Sequence, residues 1–107
     1  MELCNECYSA QKRSQNAAVR KMFGPGATHK VIAENRPPEG TPCQCCGKPM
    51  VHGPGSDKCC FDHDPITNDF RGWICMKCNT GLGNLGDTLQ SALNAVRYLT
   101  PPNEIIN

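Results

Sequence analysis

Residues 43–47 read CQCCG and residues 59–79 read CCFDHDPITNDFRGWICMKCN. These stretches contain two Cys-x-x-Cys pairs, formed by Cys43, Cys46, Cys75 and Cys78. Two thiolates on one tight turn can both reach a single ion, and two such turns complete a tetrahedron. We therefore predict that the four cysteines bind one structural zinc ion, which closes a hairpin formed by the 28 residues between the pairs.

The composition favours a metal-bound fold over a disulfide-bonded one. The chain has 107 residues, its hydrophobic content is 38%, and nine residues are cysteines. A short chain buries only a modest core, so a metal is a common addition. The cysteine count is odd, and the N-terminus lacks the basic and apolar segments of a signal peptide. No apolar run approaches the roughly 20 residues that cross a bilayer, so we expect a soluble, cytoplasmic protein.

The remaining cysteines leave two assignments open. Cys45 could replace Cys46 as a ligand, but the pair that is followed by Gly47 fits the turn of a zinc site better. Cys4 and Cys7 form a third Cys-x-x-Cys pair without an obvious partner. A second zinc site there would need further ligands, and the alternative is a pair of free thiols. The candidate ligands are Cys59, Cys60, His29 and His52.

The segment between the cysteine pairs carries the groups that phosphodiester hydrolysis needs. That reaction requires a base for water and a cation that stabilises charge on the phosphate and the departing oxygen. His63 has an imidazole whose usual pKa suits a base near pH 7. The oxygens of Asp62 and Asn79 suit Mg²⁺, which binds few protein ligands, or Mn²⁺. A lone histidine is more often structural, so this prediction depends on the cysteine frame around His63.

We predict a small α+β fold with a hairpin of two strands, residues 58–63 and 70–75. Neighbouring residues on a strand point to opposite faces of the sheet. Asp62 and His63 can therefore act on one phosphate only if the strand twists or ends there, and the nearby Pro65 favours an ending.

Helices are expected on both sides of the hairpin. Residues 8–22 and 27–35 are predicted to be helical, with a Gly-Pro-Gly turn between them. A short helix should begin near residues 75–77 and carry Asn79. It is expected to be broken by the glycines that follow, which are Gly81, Gly83 and Gly86.

The last helix is predicted to open with a capping box formed by Asp87 and Gln90 and to end at Leu99. Its apolar positions share one face, at Leu89, Ala92, Leu93, Val96 and Leu99. This face is expected to cover the small core or to form a dimer seam.

The charge of the chain is uneven along its length. The net charge is only +1, but residues 1–36 hold six basic and three acidic side chains. We interpret this segment as a mildly basic, helical N-terminal arm that could lie along a phosphate backbone. A solvated helix face would have the same composition. Residues 37–107 would then form the zinc-bound domain with the C-terminal helix.

The stretch from Cys43 to Asp87 resembles the phage recombination endonuclease VII family, within the His-Me finger or ββα-metal nucleases, also called the HNH group. The shared features are the cysteine pairs, Asp62-His63-Asp64, Arg71-Gly72-Trp73-Ile74, Asn79 and Gly81-Leu82-Gly83. The resemblance implies a zinc-stabilised ββα-metal finger with flanking helices. It also implies an endonuclease of a phage or its prokaryotic host, acting on duplex or branched DNA as a monomer or homodimer. A second histidine and a later acidic residue of the family are replaced here by Pro65 and Leu82.

The resemblance also implies roles for individual residues. His63 would be the general base, and Asp62 and Asn79 would bind Mg²⁺ or Mn²⁺. The cysteine pairs would bind Zn²⁺. Asp64 would orient a side chain or touch the catalytic metal.

Arg71 lies where it could contact a phosphate, and the alternative for this side chain is a surface salt bridge to Asp69. The predicted function is metal-dependent hydrolysis of DNA, and the resemblance implies a product with a 5′ phosphate. The alternative function is a zinc-binding module without catalytic activity that binds nucleic acid or protein.

Overall fold

The computed structural model describes residues 15–103, so Cys4, Cys7 and the start of the predicted N-terminal helix lie outside the described residues. The described elements are helix α1 over residues 15–23, α2 over Lys30–Asn35, strand β1 over Cys59–His63, β2 over Phe70–Cys75, helix α3 over Met76–Leu85 and α4 over Leu89–Leu99. The strands pair as an antiparallel two-stranded sheet. This is the predicted small α+β fold. No helix within residues 15–103 is long and apolar enough to cross a membrane.

The hairpin is irregular beside Asp62. Asp62 pairs with Gly72 whereas His63 pairs with Phe70, so Arg71 is an extra residue on β2. Such a bulge bends the strand and re-aims the side chains around it. The extra residue is on β2, so the bulge re-aims Arg71, whereas Asp62 and His63 are consecutive residues at the end of β1, which stops at His63 as the nearby Pro65 led us to expect.

Two apolar clusters pack on the hairpin. The first surrounds the cysteine pairs and consists of Cys43, Met50, Cys59, Ile74 and Cys75. In the second, Ala18 and Val19 of α1 pack with Phe61 of β1, and neither α1 residue has any exposed surface. The described part of the predicted basic arm therefore forms part of the core of the hairpin.

Helix α3 does not break at its internal glycines, contrary to the sequence prediction. It continues through Gly81 and Gly83 to Leu85 and packs on both strands. A glycine in a helix costs only about 1 kcal/mol relative to alanine, and packing on the sheet offsets this cost. Gly86 ends the helix at a φ of 122°, a conformation that favours glycine.

The capping box of α4 is displaced by one residue from its predicted position. Thr88 accepts a hydrogen bond from the N–H of Ser91, and the Ser91 hydroxyl accepts one from the N–H of Thr88. Asp87 and Gln90 therefore do not cap the helix. The physical reason is that the Asp87 carboxylate bonds to Arg71 instead.

The apolar side of α4 does not cover the core as first expected. Leu89 is 78% exposed, Val96 46% and Leu99 77%. The core around Phe61 is instead covered by α1 and α2. The dimer seam stays a prediction.

Candidate active site

The four predicted zinc ligands come together in space. The sulfurs of Cys43, Cys46, Cys75 and Cys78 all lie within 4.8 Å of one another. Zn–S bonds of about 2.3 Å in a tetrahedron place two sulfurs roughly 3.8 Å apart. The Cys46 and Cys75 sulfurs are 3.8 Å apart, so the cluster has the dimensions of a four-thiolate zinc site.

Cys45 and Cys46 are both exposed, but the structure favours Cys46 as the second ligand because its sulfur belongs to the cluster and that of Cys45 does not. Within residues 15–103, these four cysteines are the one group of three or more His, Cys, Asp or Glu side chains that could hold a metal ion. The candidates for completing a second site do not form such a group; these are Cys59, Cys60, His29 and His52. A site that uses Cys4 and Cys7 stays a prediction, since both lie outside the described residues.

Backbone N–H groups prepare Cys43 for metal binding. The N–H groups of Cys45, Cys46 and Cys75 donate to its sulfur over 3.2–3.4 Å. Burial alone would raise the pKa of Cys43, but these hydrogen bonds outweigh it and bring the pKa to about 6. Burial and the neighbouring thiols raise the pKa of Cys78. The backbone hydrogen bonds thus favour the thiolate form of Cys43, which is the form that binds a metal.

Gln44 joins the first cysteine turn to the hairpin. Its N–H donates to the Trp73 carbonyl over 3.1 Å, and its side-chain carbonyl accepts from the Trp73 N–H. A β-carbon on Gly72 would lie 2.5 Å from that side-chain oxygen. The glycine thus admits Gln44 against β2, and the metal cluster is fixed to the strand that carries Arg71.

Asp62 is buried, with 8% of its surface exposed, and its side chain lines a cleft of about 310 Å³. Arg71 Nε donates to Asp62 Oδ2 over 2.8 Å, and Arg71 Nη2 donates to Oδ1 over 3.0 Å. Arg71 Nη2 also donates to Asp87 Oδ1 over 2.7 Å. The hydrogen bond to Asp62, and then that to Asp87, raises the pKa of Arg71 above its usual range. The bidentate geometry fixes the orientation of the Asp62 carboxylate.

The salt bridge considered between Arg71 and Asp69 is not formed. Asp69 instead pairs with Lys21 of α1, whose Nζ lies 2.6 Å from Asp69 Oδ1. The bulge explains the difference, because it turns Arg71 toward the Asp62 side of the hairpin.

Asp64 holds the loop between the strands. Its Oδ1 accepts from the N–H groups of Ile66 over 2.7 Å and Thr67 over 3.1 Å. These bonds, with that from Thr67 the larger effect, hold the pKa of Asp64 below its usual value. The described contacts of Asp64 are thus with its own loop, and a role at the catalytic metal stays a prediction.

His63 ends β1 and is partly buried. Burial lowers its pKa below 6.5, although the nearby Asp62 carboxylate opposes this shift. The imidazole is therefore neutral at pH 7, which is the form that accepts a proton.

Asn79 lies in the first turn of α3, which begins directly after Cys75. Leu82 lines the same cleft as Asp62. Asn79 is partly buried three residues before Leu82 and is not itself a lining residue of the cleft, so its role as a metal ligand stays a prediction. The carboxylate of Asp62 and the amide of Asn79 are oxygen donors that fit Mg²⁺ or Mn²⁺. The Arg71 contacts do not exhaust Asp62, because each carboxylate oxygen has two lone pairs.

The antiparallel hairpin of β1 and β2, followed directly by α3, is a ββα fold. The crystal structure of the ββα-Me type II restriction endonuclease Hpy99I is similar, with a TM-score of 0.58 and 30% sequence identity. The similarity covers 90% of this chain and 47% of that one, so this chain spans about half of that endonuclease.

The profile of the recombination endonuclease VII family matches residues 19–101, and the chain belongs to this family. No curated protein matched the sequence. The chain therefore has the family's sequence pattern, a fold similar to that endonuclease and four cysteines positioned to bind a metal ion.

Sequence reasoning missed Asp87 as a neighbour of the site. An acidic residue just before a helix is commonly a capping residue. This pattern predicted a cap at Asp87 and gave no sign of the contact between Asp87 and Arg71. The useful signal was Thr88, which is also a good cap and leaves the Asp87 carboxylate available for another partner.

Proposed function

We propose that this protein is a metal-dependent DNA endonuclease. The observation that carries the proposal is that β1 ends at Asp62 and His63, and that α3, which carries Asn79, begins at the cysteine cluster and packs on both strands. In this proposal a base, a carboxylate and an amide act on one phosphate, and the carboxylate lines the cleft. A four-thiolate cluster leaves no open coordination position, so its proposed Zn²⁺ is structural.

A divalent cation held by Asp62 and Asn79 would stabilise the negative charge that develops on the phosphate and the departing oxygen. His63 accepts a proton from the attacking water, because burial keeps its imidazole neutral at pH 7. The water oxygen bonds to phosphorus while the bond from phosphorus to the 3′ oxygen breaks. The products are a 5′ phosphate and a 3′ hydroxyl.

Arg71 has five N–H donors, and three hydrogen bonds to Asp62 and Asp87 fix its plane. We propose that its remaining donors orient the phosphate, which is the contact that the sequence left open for Arg71. The substrate class follows from family and fold, and we propose duplex or branched DNA. Comparing cleavage of plasmid, linear duplex, single strand and four-way junction separates these substrates.

The decisive experiment is a plasmid-nicking assay with Mg²⁺, with Mn²⁺ and with chelator. His63→Ala is expected to lower the cleavage rate by roughly 10²–10⁴-fold, with zinc content and melting temperature unchanged. The matched control is His29→Ala, an exposed histidine at the start of α2, which should cut at the wild-type rate.

Two results would contradict the proposal. A His63→Ala variant that cuts as fast as the wild type removes His63 as the base. A wild-type protein that binds DNA but does not cut it with any divalent cation is a non-catalytic zinc module.

A further inference from the structure

Asp87 is held in place by the end of one helix and the start of the next. Its N–H donates to the Leu82 carbonyl over 2.8 Å, and the Gly86 N–H donates to the Gly83 carbonyl over 3.1 Å. These two bonds form the Schellman motif that closes α3. Thr88 then caps α4. The backbone of Asp87 is therefore fixed on both sides, at a φ of 58°.

The side chain of Asp87 adds a negative charge beside the cleft. Asp62 and Arg71 form a bidentate pair whose charges cancel, and Asp87 bonds to the same guanidinium over 2.7 Å. A neutral pair attracts a divalent cation weakly, whereas the set of three groups has a net charge of one negative unit. Both acidic residues line the cleft together with Leu82.

We propose that Asp87 is a positioning residue that makes the Asp62 carboxylate able to bind a divalent cation. It acts through Arg71, because it offsets the positive charge of the guanidinium that is bonded to Asp62. This inference rests on the proposed function. Changes in the groups that hydrogen-bond to a metal ligand typically alter metal affinity by roughly 10- to 100-fold, and Asp87 sets the charge around the group that bonds to Asp62.

The test is Mn²⁺ binding to the purified, zinc-containing protein, measured by electron paramagnetic resonance of free Mn²⁺. Asp87→Asn is the main variant, because asparagine tolerates a positive φ well and keeps the side-chain size. We expect its Mn²⁺ affinity to fall by about 10-fold or more, with zinc content unchanged. Arg71→Gln should bind Mn²⁺ more tightly than the wild type. The double variant regains a net charge of one negative unit and should bind at close to the wild-type affinity.

Asp69→Asn is the matched control. Asp69 lies in the hairpin loop and is also ion-paired, but its partner is Lys21 of α1. This variant should leave Mn²⁺ affinity unchanged. In cleavage assays, Asp87→Asn should raise the Mg²⁺ concentration for half-maximal rate and leave the rate at saturating Mg²⁺ nearly unchanged.

Asp87→Asn with wild-type Mn²⁺ affinity would overturn the inference while leaving the proposed function intact. A double variant that binds no better than Asp87→Asn would likewise overturn it. A wild-type protein that binds no Mn²⁺ and cuts no DNA would overturn the proposed function and this inference with it.

Discussion

Replacing Phe61 with alanine tests whether α1 and the hairpin fold as one unit. Phe61 is 5% exposed and packs on Ala18 and Val19 of α1. Its ring lies 5.0 Å from that of Phe70 and 5.7 Å from that of Trp73, centre to centre. Truncating a buried phenylalanine to alanine costs about 3–5 kcal/mol of folding free energy.

We expect Phe61→Ala to lower the free energy of unfolding by about 3–4 kcal/mol. If α1 were a detached arm, this face of Phe61 would already be in contact with water. The lost transfer free energy would then be about 1 kcal/mol or less, because little apolar surface would leave water on folding.

Urea unfolding followed by the fluorescence of Trp73 measures this loss directly. Trp73 is the single tryptophan of the chain and packs edge-on against Phe61. The free zinc concentration must be identical for all proteins, because bound metal adds to stability by mass action. Ile66→Ala is the control, since Ile66 is 82% exposed in the hairpin loop, and it should change stability by less than about 0.5 kcal/mol. A loss below about 1 kcal/mol for Phe61→Ala, or two separate unfolding transitions, would refute the packing of α1 on the hairpin.

Three further predictions concern the base, the cysteine cluster and the turn before α4. Burial lowers the pKa of His63, so its neutral form persists to lower pH than usual. The acid limb of a kcat/KM profile should therefore fall off below pH 6.5, and a midpoint above 7 would contradict this assignment. Cys75→Ser should abolish zinc binding and cooperative melting, because structural zinc contributes on the order of 10 kcal/mol; a variant that melts like the wild type would exclude a structural role for the cluster. Gly86→Ala should lower the melting temperature, because alanine at a φ of 122° is strained and its β-carbon would lie 3.1 Å from that of Ser91, costing about 1 kcal/mol or more; an unchanged melting temperature would contradict this.

Local patterns predicted the hairpin and the cysteine cluster well. The strands were expected over residues 58–63 and 70–75, and they cover Cys59–His63 and Phe70–Cys75. Cysteine spacing and a following glycine identified Cys46 over Cys45, because only a tight turn brings two sulfurs to one ion. Gly47 has the positive φ, 81°, that this turn requires.

Contacts between distant segments escaped prediction. The partner of Arg71 could not be read from its neighbours, since a single extra residue on β2 decides which side chain it meets. The apolar face of α4 predicted a core position, but α1 and α2 cover Phe61 instead. Which helix covers a shared core depends on the relative packing of all of them, and periodicity reports only that a face is apolar.

The sequence alone determined the chemistry of this protein, because residue types and short spacings set which groups can bind a metal or accept a proton. It named the four thiolates, the imidazole of His63 and the oxygens of Asp62 and Asn79. The tertiary structure decided the electrostatics around them, through the bulge at Arg71 and the turn that brings Asp87 to within 2.7 Å of its guanidinium. Charge interactions depend on distance in space, and the separation of 16 positions between Arg71 and Asp87 in the chain carries no information about that distance.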